Sequence, residues 1–154
     1  MMGILSHVSI GSTKEKLSDM IELYDTIMPM LGAKRQMAVA KEGKVDTMIA
    51  ASNPDLVTVA YGKYIPEFWV GLPFDEQEAT AGNGVHICFN CSSESMVQQI
   101  YHKALEMGAK DNGPPGPRPQ YDDKYYAAYF IDPCGNKMEV LFYNLGMMGY
   151  CDIL

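Results

Sequence analysis

No run of 18 apolar residues occurs anywhere in the sequence, so no segment reads as a membrane-spanning helix. Positive charge is also scarce. Twelve Lys and Arg stand against 19 Asp and Glu, giving a formal net charge of −7. That balance speaks against nucleic acid or an anionic membrane as a partner, since both would repel the chain. The N-terminus lacks a basic segment followed by a long apolar region, so a secretory signal is not expected and a cytoplasmic location is. The cysteines are Cys88, Cys91, Cys134 and Cys151, and they offer one C-x-x-C without a second pair. A zinc ribbon is therefore not expected, nor a thioredoxin-type motif, because on a strand Cys88 and Cys91 point to opposite faces. Free thiols in a reducing compartment are the expectation.

What is present is apolar pattern in quantity. Hydrophobic residues make up 47% of 154 positions, enough for one domain or two small modules sharing a core. Residues 83–89 read Asn-Gly-Val-His-Ile-Cys-Phe: turn residues, then an alternating strand with His86 on the face of Cys88 and Asn90. The pattern of a helix follows, ending in Met107-Gly108-Ala109-Lys110. Residues 3–10 and onward repeat the plan. His7 lies in an alternating strand, and a helix pattern runs to Leu31-Gly32-Ala33-Lys34. Two histidines in matching places of a repeated unit are a stronger signal for a shared site than either alone.

Within the first unit, Ser12 and Glu15 make a capping box ahead of an apolar stripe of Leu17, Met20, Ile21, Tyr24, Ile27, Met28 and Leu31. Pro29 should distort the last turn, and Gly32 supplies the stop. Strands are expected over 35–40, 45–51, 56–61 and 67–72. Residues 74–83 are polar and turn-rich and read as a connector. In the second unit a helix carries Met96, Val97, Ile100, Ala104 and Leu105. The four prolines of 112–119 exclude regular structure there, and strands over 125–131 and 137–143 flank a tight turn at 132–136. The order is β-α-β-β-β twice, an α+β fold with module 1 over about 3–73 and module 2 over about 84–143. Paired side by side, such units form a curved mixed sheet around a cup, helices outside. The apolar tail, 144–154, favours packing on the body or on a second copy, hence a homodimer.

The chain resembles the vicinal oxygen chelate superfamily, which includes glyoxalases, bleomycin-resistance proteins and extradiol dioxygenases. The resemblance rests on the paired modules, on His7 and His86 early in their strands, and on the closing segment Asp132-Pro133-Cys134-Gly135-Asn136-Lys137-Met138-Glu139-Val140. Cys134 stands where the family usually has a second aspartate. The segment 113–126 is similar to that of a sub-branch of small glyoxalase-like proteins. What the resemblance implies is a divalent metal in the cup (Zn, Ni, Mn or Fe(II)) held by His7, His86 and Glu139. Two imidazoles and one carboxylate leave positions open for substrate oxygens.

The fourth family position is where the sequence departs. Aligning Phe68-Trp69-Val70 with Met138-Glu139-Val140 puts Trp69 at that place, whereas a shifted register presents Glu67 as a candidate fourth ligand. Trp69 is otherwise expected as an apolar substrate wall. Arg118, on its proline-stiffened loop, is expected to meet an anionic group, and Tyr121, Tyr125 and Tyr126 supply pocket residues, although 125 and 126 must face opposite ways. The expected activity is that of a glyoxalase-like lyase or isomerase on a small oxygenated molecule, with Glu139 catalytic. An Fe(II) extradiol-type dioxygenase and a non-catalytic antibiotic-type binding protein are the alternatives. No basic residues that would clearly hold a glutathione carboxylate are found.

Overall fold

The computed structural model describes residues 5–144 of the chain; the expectation about the apolar tail falls almost wholly outside them. Module 1 runs β1 (Val8–Gly11), α1 (Leu17–Met30), β2 (Lys34–Ala40), a 3₁₀ turn (Lys41–Gly43), β3 (Leu56–Gly62) and β4 (Phe68–Gly71). Module 2 runs β5 (His86–Asn90), α2 (Glu94–Glu106), β6 (Lys110–Asp111), β7 (Gly116–Pro117), β8 (Tyr125–Ile131) and β9 (Lys137–Tyr143). The fold is α+β, and each module brings its first and last strands together in parallel, β1 with β4 and β5 with β9. A parallel pair needs a long crossover, which α1 and α2 begin.

The two helices end alike because the same residues follow them. Gly32 and Gly108 take positive φ values of 76° and 94°, a conformation glycine adopts without Cβ strain. Ala33 and Ala109 then donate their N–H groups back to Met28 and Ala104, while Gly32 and Gly108 donate to Pro29 and Leu105. This is a Schellman closure in both units, and it explains why Leu/Met-Gly-Ala-Lys recurs. The apolar stripes pack inward on one continuous core. Tyr24, Ile21 and Ile27 of α1 join Val59, Tyr61 and Phe68, while Val97, Ile100 and Ala104 of α2 join Ala128, Phe130, Met138 and Val140. Burying each large apolar side chain contributes about 1.5–3 kcal/mol. No helix among the described residues is long and apolar enough to cross a membrane.

The two βαβββ modules of an α+β fold form as expected, and the structure differs from the expectation in five details. First, each module keeps its own sheet, in orders β1-β4-β3-β2 and β5-β9-β8-β6 with β7 beside β8. Second, residues 45–51 form turns with a single bridge, Val39 to Val45. Arg35 holds them, its guanidinium donating to the carbonyls of Thr47 and Ile49, and Asp46 accepts from the Met48 N–H in a local turn. Third, Ser12 does not cap α1. It is fully buried, its Oγ donating to the Thr13 carbonyl and lying 3.4 Å from Cys134 Sγ, and the helix starts at Leu17 with no side-chain cap. In α2, Ser93 does cap, accepting from the Met96 N–H. Fourth, β1 starts at Val8, so His7 precedes the strand. Fifth, Gly116 and Pro117 pair with Ala127 and Tyr126 as a two-residue edge strand, a place where a missing N–H is tolerated.

The modules are joined at the 132–136 turn. Asp132 is 2% exposed and accepts from the Tyr24 hydroxyl, the N–H groups of Cys134 and Asn136, and the Asn136 side-chain amide. Asn136 Nδ2 also reaches the Gly11 carbonyl, and Lys16 Nζ donates to the Pro133 carbonyl at 2.8 Å. Burial pushes the Asp132 carboxyl above its usual value, against the lowering effect of those donors. A raised folded-state pKa contributes stability that is present below the ordinary carboxylate range and lost as pH rises through the raised value. Urea unfolding is therefore expected to show wild type gaining on Asp132→Asn as pH falls from neutrality. At pH 7, Asp132→Ala should cost about 3 kcal/mol or more by stranding several donors, against about 1.5–3 kcal/mol for Tyr24→Phe, which removes one hydrogen bond to the same carboxylate. A loss below about 0.5 kcal/mol for Asp132→Ala would remove the turn from its role as the joint.

Candidate functional site

Alternation along β5, β8 and β9 separates a core face from an open one. Met138 and Val140 are fully buried beneath α2, so Lys137, Glu139, Leu141 and Tyr143 share the opposite face. The register places Cys88 and Tyr129 on either side of Glu139, and His86 beside Lys137. His86 Nε2 lies 3.1 Å from Glu139 Oε2, and the Tyr125 hydroxyl donates to Glu139 Oε1 at 2.6 Å. The Tyr129 hydroxyl and the Cys88 thiol interact with the same carboxylate.

Glu139 is only 2% exposed, while the imidazole it meets is 46% exposed. No Lys or Arg pairs with it among the described residues. A carboxylate taken this far from water is held by donors around it. Its charge reaches those donors in turn. Burial, then Glu139, pushes the phenol of Tyr125 well up and that of Tyr129 up to about 12. The Cys88 thiol is raised for the same two reasons, so it stands there as a neutral thiol.

The predicted site residues divide by module. His86 and Glu139 come together. His7 is exposed, hydrogen-bonds Ser6 at 3.4 Å, and does not join them; no three His, Cys, Asp or Glu side chains converge as a metal-holding group among the described residues. In module 1, Trp69 lies opposite Ser9, two residues past His7, as Glu139 lies opposite Cys88, two residues past His86. Trp69 thus occupies the place in module 1 that Glu139 occupies in module 2, and it is half-buried. Glu67 falls one step outside the paired register. Its Oε2 accepts the Lys63 N–H at 2.9 Å and closes the 62–66 loop. Tyr121 is exposed and meets Tyr125 edge-on at 5.3 Å. Tyr126 faces away, its hydroxyl accepting from Gln98 of α2 at 2.8 Å, so it does not belong with Tyr125 at the site. Arg118 lies over Tyr129 with its guanidinium 5.6 Å from the ring centre.

Cys88, Tyr129 and Lys137 stand on the same face as His86 and Glu139, which the sequence pattern does not single out. Parity alone puts Cys88 with His86, Lys137 with Glu139, and Tyr129 with Tyr125. Burial of Glu139 among them is what makes them neighbours in function, and that has no signature in sequence.

Two sizeable clefts reach His86, beside a small one of about 20 Å³ between Ile10 and Met138. One, of about 390 Å³, is lined by residues 81–85, Gly135 and Lys137. The other, of about 480 Å³, lies between the modules, with Leu5, Val8, Glu67 and Phe68 facing Ile87, Cys88 and Phe89. Phe68 and Phe89 meet edge-on there at 5.1 Å.

No family model and no curated protein matches the chain. Solved structures do. A glyoxalase/bleomycin resistance protein from Albidiferax ferrireducens T118 superposes with a TM-score of 0.70 at 27% identity, covering 91% of this chain and 98% of its own. The protein has the vicinal oxygen chelate fold. Other structures with this fold include a glyoxalase-related enzyme from Fulvimarina pelagi, with a TM-score of 0.60 at 15% identity, covering 92% of this chain and 88% of its own. The fosfomycin resistance protein FosX from Listeria monocytogenes has a TM-score of 0.59 at 17% identity, covering 94% and 97%. At these two identities the likeness is one of fold.

Within the vicinal oxygen chelate fold, the hydrogen bond from Tyr125 to a buried charge is the contact to test. Tyr125→Phe should lower stability by about 1.5–3 kcal/mol, the range for hydrogen bonds to charged groups. Tyr126→Phe, which removes a contact to an exposed glutamine, should lower it by less than about 1 kcal/mol. Equal losses in urea unfolding would contradict the difference in environment between the two faces.

Proposed function

We propose that this protein is a metal-dependent enzyme of the lyase or isomerase type, acting on a small oxygenated molecule in the cup beside His86 and Glu139. The observation that carries the reading is the buried Glu139 carboxylate, unpaired by Lys or Arg among the described residues, beside a half-exposed imidazole. The donor set fits a divalent ion of the Zn, Ni, Mn or Fe(II) kind, for which imidazole and carboxylate are suitable ligands. His86 and Glu139 would hold it, with His7 as the third ligand. The exposed His7 does not reach the pair within its own chain, so a homodimer in which a second copy brings its His7 completes the set.

A bound divalent ion would supply stabilisation for negative charge on a substrate oxygen. The residues supply the rest. Glu139 would serve as base by leaving the ligand set, its Oε2 on the His86 side then taking a proton from the substrate carbon and returning it at the neighbouring one. Proton transfer by a positioned carboxylate is typically worth about 10²–10⁴-fold. Tyr125 keeps Oε1 engaged at 2.6 Å and so orients the other oxygen. Tyr129 and Cys88 stay protonated and donate rather than compete as bases.

An extradiol-type Fe(II) dioxygenase is the second reading, favoured by Trp69 at the place where a fourth carboxylate would stand. Two histidines and one carboxylate are the ligand pattern of non-haem iron oxygenases. Oxygen uptake with a catechol and reconstituted iron supports this second reading; isomerisation without uptake supports the first.

Metal content and chain mixing test the site. His86→Ala and Glu139→Ala should each lower bound metal at least about tenfold, as measured by elemental analysis after dialysis against limiting metal. His7→Ala should do the same. Refolding His7→Ala together with Glu139→Ala should restore part of the metal binding, because one site in the mixed dimer receives all three ligands. Unchanged metal content in the single variants would refute the ligand assignment. Loss in the singles without recovery in the mixture would refute the shared site.

A further inference from the structure

Two cations converge on one aromatic ring beside Glu139. Lys137 Nζ lies 5.2 Å from the centre of the Tyr129 ring, and the Arg118 guanidinium carbon lies 5.6 Å from the same centre. Tyr129 stands opposite Glu139, and Lys137 stands opposite His86 on the same face of β9. The site therefore has a cationic margin as well as a buried carboxylate.

Neither cation is spent on an ion pair. Among the described residues, Arg35 pairs with Asp25, Lys41 with Asp55 and Lys103 with Glu106, but Lys137 and Arg118 meet no carboxylate within ion-pair distance, Glu139 included. Three of the twelve cations are ion-paired among the described residues, so what marks Lys137 and Arg118 is their approach to one ring beside Glu139. A tyrosine ring attracts a cation too weakly to replace a counter-charge. Arg118 is also held in position. Its Nη2 donates to the Pro114 carbonyl at 2.6 Å and its Nη1 to the Pro117 carbonyl at 3.5 Å, within a loop stiffened by prolines, which leaves three of its five N–H donors outside those two bonds. Lys137 lines the cleft of about 390 Å³, whose other walls are His86, Val85, Gly135 and residues 81–84.

We infer that Lys137 and Arg118 form a seat for an oxyanion, a carboxylate or a phosphonate, carried by the small molecule that occupies the cup beside His86 and Glu139. The inference deepens the proposed site by naming the substrate class, an oxygenated acid, and it does not depend on the metal. The planar guanidinium and the point charge of the ammonium complement such a group from two directions. They also offset the repulsion that an anion would meet from Glu139.

The test uses the full chain stripped with chelator and then dialysed free of it. Glycolate, methylphosphonate and neutral ethylene glycol serve as probes, and binding is read by ligand-observed NMR titration at fixed ionic strength. Glycolate, methylphosphonate or both should bind, and ethylene glycol should bind at least about tenfold more weakly. Which acid binds tells carboxylate from phosphonate. Lys137→Gln and Arg118→Gln should each weaken the bound acid about tenfold, and Lys137→Arg should retain most of the affinity. Circular dichroism and metal content of the variants should match wild type. Absence of acid binding, equal binding of ethylene glycol, or unchanged affinity in the double variant Lys137→Gln, Arg118→Gln would each overturn the seat. Because the protein is metal-free, failure of the ligand assignment leaves this result standing, and failure of the seat leaves the metal content standing.

Discussion

The buried carboxylate of Asp132 ties the structure together. It closes the β8–β9 hairpin by accepting from the N–H groups of Cys134 and Asn136, and it reaches α1 of the other module through the Tyr24 hydroxyl. Two consequences follow from this one turn. The hairpin register it sets is the register that puts Tyr129 opposite Glu139. The clamp it makes on β1 and α1, through Asn136 to Gly11 and Pro133 to Lys16, fixes how the modules sit against each other. A charged group this buried is retained only with its donors in place, which makes the joint cooperative.

The parallel ladders transmit that geometry to the site. In both modules the last strand lies against the first, and the residue two past the histidine faces a fixed partner: Trp69 in module 1, Glu139 in module 2. The same backbone thus carries two chemistries. Module 2 presents a carboxylate wrapped by phenol, thiol and imidazole, while module 1 presents an indole. Glu67, one pleat away, is committed to the Lys63 N–H and the loop it closes. The asymmetry between repeats lies in side chains, not in the fold, which is why fold likeness to glyoxalase-related and fosfomycin resistance structures leaves the reaction open to a choice between ligand sets.

Electrostatics on the open face of module 2 are ordered along the strands. Cys88, Glu139 and Tyr129 form one row across the sheet, and His86 and Lys137 stand side by side in the next. The negative charge sits deep, with the cations of Lys137 and Arg118 set beyond ion-pair reach over the Tyr129 ring. Such an arrangement keeps the phenols and thiol protonated near Glu139 and leaves positive potential at the margin.

Local chemistry determined what could be read from the sequence alone. Leu-Gly-Ala-Lys after the first helix and Met-Gly-Ala-Lys after the second specify helix ends, because glycine at the left-handed position and the returning alanine N–H are local requirements. Strand alternation separated Glu139 from Met138 and Val140, and Tyr125 from Tyr126. Tertiary structure decided the rest. Ser12 was drawn from a helix cap into the joint, since a distant Asp132 turn packs over it. Residues 45–51 gave up a strand because the Arg35 side chain satisfied their carbonyls instead. The two sheets remained separate, and His7 stayed apart from His86 and Glu139, because neither edge pairing nor the distance between modules is encoded in any short stretch. Burial of Glu139, and the meeting of Lys137 with Arg118 over one ring, likewise arise only when a loop, a hairpin and an edge strand from three parts of the chain are folded onto one face.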